Sequence, residues 1–363
     1  MNIDIVHPLD LSDGEVAAWS RLQSARPEWS SPFLSPYWPL ALSSAGWPES
    51  ELGRVAVIRG AKREPKGFFA ARVQRSTAVP AGSPLCDYQA MVAAPDAVPD
   101  PRELVRALGV GRIDLHNCMI DDAAFAPFLK AKQESLIIDI AGGFDAYAAD
   151  RAAAGTDILK DCAKKRRKLE REHGAVRHTP DSRSEADFDQ LIAWKRAQYK
   201  TTDQTDIFAA GWPLLLLKSL WREANANFGA RLHTLHVGDT LVAAHLALTA
   251  PGVMHAWFIA HDDSFAKYSP GVVLIADILR WAPGQGVREM DLGPGDYRFK
   301  CSLANARRPV GSGYVGRLSP AALVRGAEYR VRGMVERLPL GSACEIPGKA
   351  MRRLDIIRGL RGG

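Results

Sequence analysis

The sequence predicts an α/β protein made of two similar halves, each a mixed twisted sheet flanked by helices. Three observations carry that expectation. Short alternating apolar runs recur between amphipathic stretches of helical period. The segments VAVIRGAKREPKGFFAARV at 55–73 and LHTLHVGDTLVAAHLALT at 232–249 read as one hairpin used twice, each with two strands, a polar turn and small residues opening the second strand. At 363 residues the chain has the length of about two domains.

In the first half, Ile3–Val6 reads as a short strand and the stretch around Trp19 and Leu22 as a helix. Pro27, Pro32, Pro36 and Pro39 then punctuate a loop leading into 38–45. Arg54–Arg59 and Gly67–Gln74 alternate on either side of the polar turn Gly60–Pro65, as a hairpin does. Residues 76–101 are proline-rich loop; Pro101 opens a helix through Leu108, and Arg112–His116 is a strand. Between Ile140 and Thr156 alanine, glycine and aspartate dominate, which sets a boundary there. The expected organisation is a domain at 1–150, a second at 151–320 and an Arg-rich tail at 321–363.

In the second half, Thr156 and Asp157 cap a basic helix with Ile158, Cys162 and Leu169 near helical spacing, ended by Gly174. Phe188, Leu191, Ile192 and Tyr199 mark another helix, and Trp212–Ala224 a third. The hairpin Arg231–Val237, Gly238-Asp239, Leu241–Thr249 follows, then the strand Val253–Ala260. A polar loop runs to Tyr268-Ser269-Pro270-Gly271, the helix Val272–Trp281, the strand Arg288–Leu292 and the loop GPGDYRFK at 293–300.

Composition removes several classes of function. No run reaches the ~18 apolar residues of a membrane span. The first twenty residues hold four acids and no Lys or Arg, the reverse of a secretion signal. The five cysteines (Cys86, Cys118, Cys162, Cys301, Cys344) show no paired spacing, which argues against a disulfide scaffold or a zinc site and fits the cytoplasm. His233 and His236, three apart on a strand, point to opposite faces and make no metal pair.

The net charge of +6 is concentrated. Residues 157–173 net +3 and residues 325–363 net +5, so the remainder is slightly acidic. The first segment has no aromatic residue and the second only Tyr329, so the pattern is not that of a nucleic-acid binder and no DNA partner is expected. Each cluster is either a solvated face or a surface for an anion such as a phosphate, a nucleotide or a membrane. In the tail, Arg352-x-x-Asp355 with Arg353 and Arg358 suits a nucleotide or cyclic dinucleotide effector. Met351, Leu354, Ile357 and Leu360 at helical spacing equally suit peripheral contact with the inner membrane.

A helix entered at Pro270-Gly271, with Val272, Val273 and Leu274 in its first turn, has no carboxylate competing for its free N–H groups, so it accepts a phosphate or simply packs in the core. The order of hairpin, strand, YSPG helix, strand ending in Asp-Leu-Gly and GDYRFK resembles the CelD/FemAB-like branch of the GNAT superfamily of acyltransferases, best over 157–303. PFLSPYW in the first half and CDYQAMV at 86–92 are in the same style.

The resemblance implies tandem GNAT-like folds and transfer of an acyl group, expected to be acetyl, from acyl-CoA to an amine. Acyl-CoA is then a co-substrate, not a bound cofactor. It further implies an amino sugar or sugar-linked precursor of a bacterial exopolysaccharide as acceptor. It places the donor pyrophosphate at the helix starting near Gly271, with Tyr268, Ser269, Gly271 and Val272 as donor-binding residues. Ser-Pro-Gly departs from the superfamily's Gly-rich signature at this point.

Such chemistry needs a base for the amine and stabilisation of the thioester oxygen. Asp291, Asp296 and His245 are base candidates, Lys300 a candidate for the oxyanion or an anionic substrate, and Tyr297 a proton donor to the leaving thiolate. Asp291 reads equally as a turn cap, His245 as a core histidine, and Lys300 and Asp296 as a mutual pair. Two further functions fit the same pattern: a regulatory GNAT-like protein whose tail binds an anionic effector, and a Fem-type aminoacyl-tRNA-dependent peptidoglycan ligase. The latter usually carries a long helical arm, and no segment here has that length.

Overall fold

The computed structural model describes all residues except 1, 47, 121, 296, 339–343, 345, 362 and 363, and the side chains of residues 49 and 361. In chain order the strands are β1 (Asn2–Val6), β2 (Gly53–Arg59), β3 (Pro65–Gln74), β4 (Thr77–Pro80), β5 (Val92–Ala93), β6 (Arg112–Met119) and β7 (Leu129–Asp139). There follow β8 (Val176–Thr179), β9 (Gly229–Val237), β10 (Thr240–Ala250), β11 (Val253–His261), β12 (Glu289–Pro294) and β13 (Ala306–Gly316). The chain forms two compact units.

The first unit comprises 1–133, 207–216 and 309–363. Its sheet runs β1-β2-β3-β4-β6-β13, with β5 on β3. All these neighbours are antiparallel except β4 and β6. Its core includes Ile58, Phe69, Leu104, Ile113, Leu115 and Phe125, all fully buried.

The second unit comprises 134–206 and 217–308. Its sheet runs β8-β9-β10-β11-β12 and ends on the 134–139 portion of β7. Here β11 and β12 are the parallel neighbours and the rest are antiparallel. Both units therefore use four antiparallel strands, a parallel step and a closing antiparallel strand. The expected pair of mixed sheets flanked by helices is what the chain builds.

The hairpin β9–β10 forms because Gly238 takes φ +54 between two apolar strands, a left-handed conformation that favours glycine. Three helices matter to the second unit's site. The basic helix Ile158–His173 buries Cys162 and Leu169, and the helix Glu185–Thr201 buries Phe188, Leu191, Ile192 and Tyr199. The helix Pro270–Trp281 is apolar around most of its circumference and lies in the core with Leu235, Val242, Met254 and Met290.

The units differ from consecutive domains at 1–150 and 151–320. Residues 134–150 belong to the second unit, and residues 309–363 belong to the first. The tail is no loose segment: it forms the helices Pro320–Val335 and Ile346–Arg361, and Arg325 on the former is 1% exposed. Among the described residues no helix is long and apolar enough to cross a membrane.

Candidate active site

The parallel strands β11 and β12 pair only from Val253–His255 against Glu289–Asp291. Beyond that, β11 runs on along β10 to His261, while β12 runs on along β7 to Pro294. The parted end of β11 lines a cavity of about 500 Å³ through Ile259, Ala260 and His261. Ser269, Gly271 and Val272 at the start of the Pro270 helix form another wall, and Trp194, Gln198 and Phe299 contribute further lining. Backbone groups at a parted strand edge and at a helix N-terminus can meet an oxyanion and a phosphate, respectively.

Ser269 precedes the helix in a left-handed conformation, φ 50 and ψ 52, rare for a residue with a side chain. Its hydroxyl does not cap the helix; instead Lys165 Nζ of the basic helix donates to Ser269 Oγ at 2.8 Å. A Cβ on Gly271 would lie 3.5 Å from Ile259 Cδ1, in ordinary contact. The helix start thus combines N–H groups, an ammonium and a residue with no side chain, as an anion site needs.

Tyr268 stands apart from its neighbours in the motif. It is 1% exposed, its hydroxyl donates to Glu172 Oε2 at 2.5 Å, and His173 Nε2 lies 2.8 Å from the same oxygen. That hydrogen bond holds the Glu172 carboxyl below its ordinary range. Tyr268 therefore ties the loop before the Pro270 helix to the end of the basic helix.

Of the expected acid–base residues that the structure describes, Asp291, His245, Lys300 and Tyr297 do not line the cavity. Asp291 is 1% exposed inside the sheet. Its Oδ1 accepts from Ser135 Oγ (3.0 Å) and the Gly293 N–H (2.8 Å), and its Oδ2 from Arg308 (3.0 Å). Arg308 also grips both oxygens of Glu289 at 2.9 Å. This arrangement is a buried ion pair, with His255 Nδ1 3.7 Å from Asp291 Oδ1. His245 is likewise fully buried, beside His233 on the adjacent strand, and burial pushes its imidazole down to about 3.

Lys300 Nζ donates to the Leu292 carbonyl at 2.5 Å, bracing the end of β12, and lies 5.6 Å from the Tyr297 ring. Tyr297 is exposed. Asp296 lies outside the described residues.

Two groups escaped the sequence reading. His261, the last residue of β11, lines the cavity with Nε2 4.0 Å from Asp263. Lys195, one helical turn before Tyr199, donates to Gln198 Oε1 at 2.7 Å, and burial with the nearby Lys300 charge brings its ammonium down to about 8. His261 ends an alternating strand, a signal available in the sequence. Lys195 sits on a polar helix face and carries no such signal.

The tail residues separate too. Arg352 and Arg353 are exposed. Asp355 and Arg358, by contrast, line a different cavity, in the first unit.

The second unit thus sets parted parallel strands beside a helix N-terminus. Residues 157–301 match the family described as "Acetyltransferase (GNAT) domain". Among solved structures the chain resembles FemX, with TM-score 0.57 and 10% identity over 88% of this chain and 99% of that one. It also resembles the C-terminal domain of a protein named as a lysylphosphatidylglycerol synthetase from Agrobacterium fabrum, with TM-score 0.51 and 11% identity over 85% and 93%. A conserved protein of unknown function from Bacteroides thetaiotaomicron gives TM-score 0.52 and 11% identity over 84% and 98%. At these identities the likeness is one of fold. No curated protein matches the chain in sequence.

Proposed function

We propose that the second unit is an N-acyltransferase that takes an acyl group, acetyl first, from acyl-CoA and gives it to an amino sugar or sugar-linked precursor of an exported polysaccharide. The observation that carries this reading is the cavity between the parted end of β11 and the Pro270 helix, with Lys165 held on Ser269 at its rim. The donor pyrophosphate would lie against the first turn of that helix, near the Lys165 ammonium and over Gly271. The thioester would then reach along β11 past the point where β12 parts from it.

In the reaction the amine nitrogen forms a bond to the thioester carbon, the C–S bond breaks, the amine proton passes to a base and the thiolate is protonated. His261 lines the cavity and is the base we favour. Lys300 has a positioning role, since its ammonium braces the β12 end.

Thiol release from acetyl-CoA in the presence of glucosamine, with mass detection of the acylated sugar, tests the reading. A His261→Ala variant should fold and lose about 10²-fold or more in kcat. No coenzyme A binding and no transfer to any amino sugar would overturn it. The likeness to FemX favours a second reading, an aminoacyl-tRNA donor. Transfer from charged tRNA, with none from acetyl-CoA, would select that reading.

A further inference from the structure

The helix Pro320–Val335 belongs to the first unit and is fixed by one face. Ala322 and Arg325 are buried there. Arg325 donates to Asp355 at 2.7 Å and lies 3.2 Å from Asp114, and the Tyr329 ring stacks on Tyr314 of β13 with centroids 6.0 Å apart. Gly326 lets that face come close: a Cβ on it would lie 2.6 Å from the Tyr314 hydroxyl oxygen. With one face held in this way, the other is committed to the outside.

That outer face is apolar. Leu323, Val324, Val331 and Met334 are each at least 50% exposed, and so is Leu338 just past the helix end. Leu323, Ala327, Val331 and Met334 follow one another at spacings of four, four and three, which sets them along one stripe. Apolar residues scattered singly over a surface need no explanation, but a continuous stripe marks a place of contact. The apolar set at 351, 354, 357 and 360, expected to face a membrane, does not form such a stripe. On the helix Ile346–Arg361, Met351 and Leu360 are buried and Ile357 is half-buried.

Charge selects what covers the stripe. Arg330 and Arg337 border it and are exposed, and Arg330 Nε donates to the Gly326 carbonyl of its own helix at 3.3 Å. Among the described residues neither guanidinium forms an ion pair. The acids of this segment are engaged elsewhere: Glu328 accepts from Arg325 at 2.8 Å and Glu336 from Arg332 at 2.6 Å. A second copy joined through the same face would bring the same arginines and no free carboxylate, leaving the guanidiniums without counter-charge. A layer of anionic headgroups over acyl chains supplies both the counter-charge and the apolar phase to a helix lying flat.

We propose that this face docks on the surface of a lipid bilayer bearing anionic headgroups. The helix lies in the plane of the interface, its Leu, Val and Met side chains enter the acyl boundary, and Arg330 and Arg337 stay among the headgroups. The proposal stands independently of acyl transfer in the second unit.

The test is co-sedimentation of the full chain with vesicles of phosphatidylglycerol and phosphatidylcholine in equal parts, with pure phosphatidylcholine as the uncharged control. The chain should sediment with the anionic vesicles and far less with the control, and added salt should weaken the association. Arg330→Gln/Arg337→Gln should lower the partition coefficient roughly thirtyfold. Leu323→Ser/Met334→Ser should lower it about tenfold or more with the melting temperature unchanged, because both side chains face solvent. The proposal falls if the chain binds neither vesicle or both alike, or if either double variant sediments as the wild type does. A dimer seen by sedimentation velocity without vesicles, and lost in Leu323→Ser/Met334→Ser, would assign the face to a second copy and overturn it.

Discussion

Lys165 Nζ donates to Ser269 Oγ at 2.8 Å, so one ammonium of the basic helix stands at the first turn of the Pro270 helix. In the proposed binding mode that contact gives the charge cluster at 157–173 a specific use. Replacing Lys165 by Gln keeps a hydrogen-bonding side chain and removes the charge. The expected result is a KM for acyl-CoA raised about tenfold with kcat little changed, because the interaction binds ground state and transition state alike. Steady-state kinetics with varied donor checks this.

Gly271 separates fold from ligand. Alanine there meets only ordinary contacts, with Ile259 at 3.5 Å, and restricts the unfolded chain, so the melting temperature should hold or rise slightly. In the proposed binding mode its methyl group would stand where the donor approaches the helix. Coenzyme A affinity should therefore fall while stability does not, which calorimetry and thermal unfolding on the same sample would read together.

Asp291 predicts the opposite pattern. Asp291→Ala removes one of the carboxylates that Arg308 grips and takes the acceptor from the Ser135 hydroxyl and the Gly293 N–H. A loss of about 3 kcal/mol in urea unfolding is expected. Its isosteric variant Asp291→Asn should keep much of the turnover per folded molecule, whereas a catalytic base would lose it.

The stacked histidines set an acid limit on stability. His245 is pushed down to about 3 and His233 well below its ordinary 6.5, in both cases chiefly by burial. The unfolded chain takes up these protons near pH 6.5 while the folded chain does not. The His245 contribution is thus fully present above about pH 6.5 and is lost as pH drops toward 3, at roughly 1 kcal/mol per pH unit, and His233 adds to the loss in the same direction. In urea titrations at pH 7, 6 and 5, His245→Leu should flatten that dependence by about one histidine's share.

Much of the second unit was legible because its signals are local. Gly238-Asp239 between alternating strands, Pro270-Gly271 before an apolar run and the spacing of Phe188 to Tyr199 each specify an element within a few residues. The closing strands were not legible. β13 contains Pro309 and glycines at 311, 313 and 316, which read as loop, and β7 changes midway from alternation to a continuous apolar run. The chemistry was harder still. Asp291 reads as a base or a turn cap until the fold returns Arg308 to it, and nothing near Tyr268 in sequence announces Glu172 as its partner.

The closing strand of the first unit's sheet arrives only with residues 309–316, long after the other strands of that sheet have been made. During synthesis on the ribosome, the amino-terminal unit must therefore wait with β6 unpaired on one side while most of the remaining chain emerges. A nascent chain halted before residue 309 should be sensitive to protease in its first unit and prone to edge-to-edge association. The same order makes a carboxy-terminal truncation a lesion of the amino-terminal sheet.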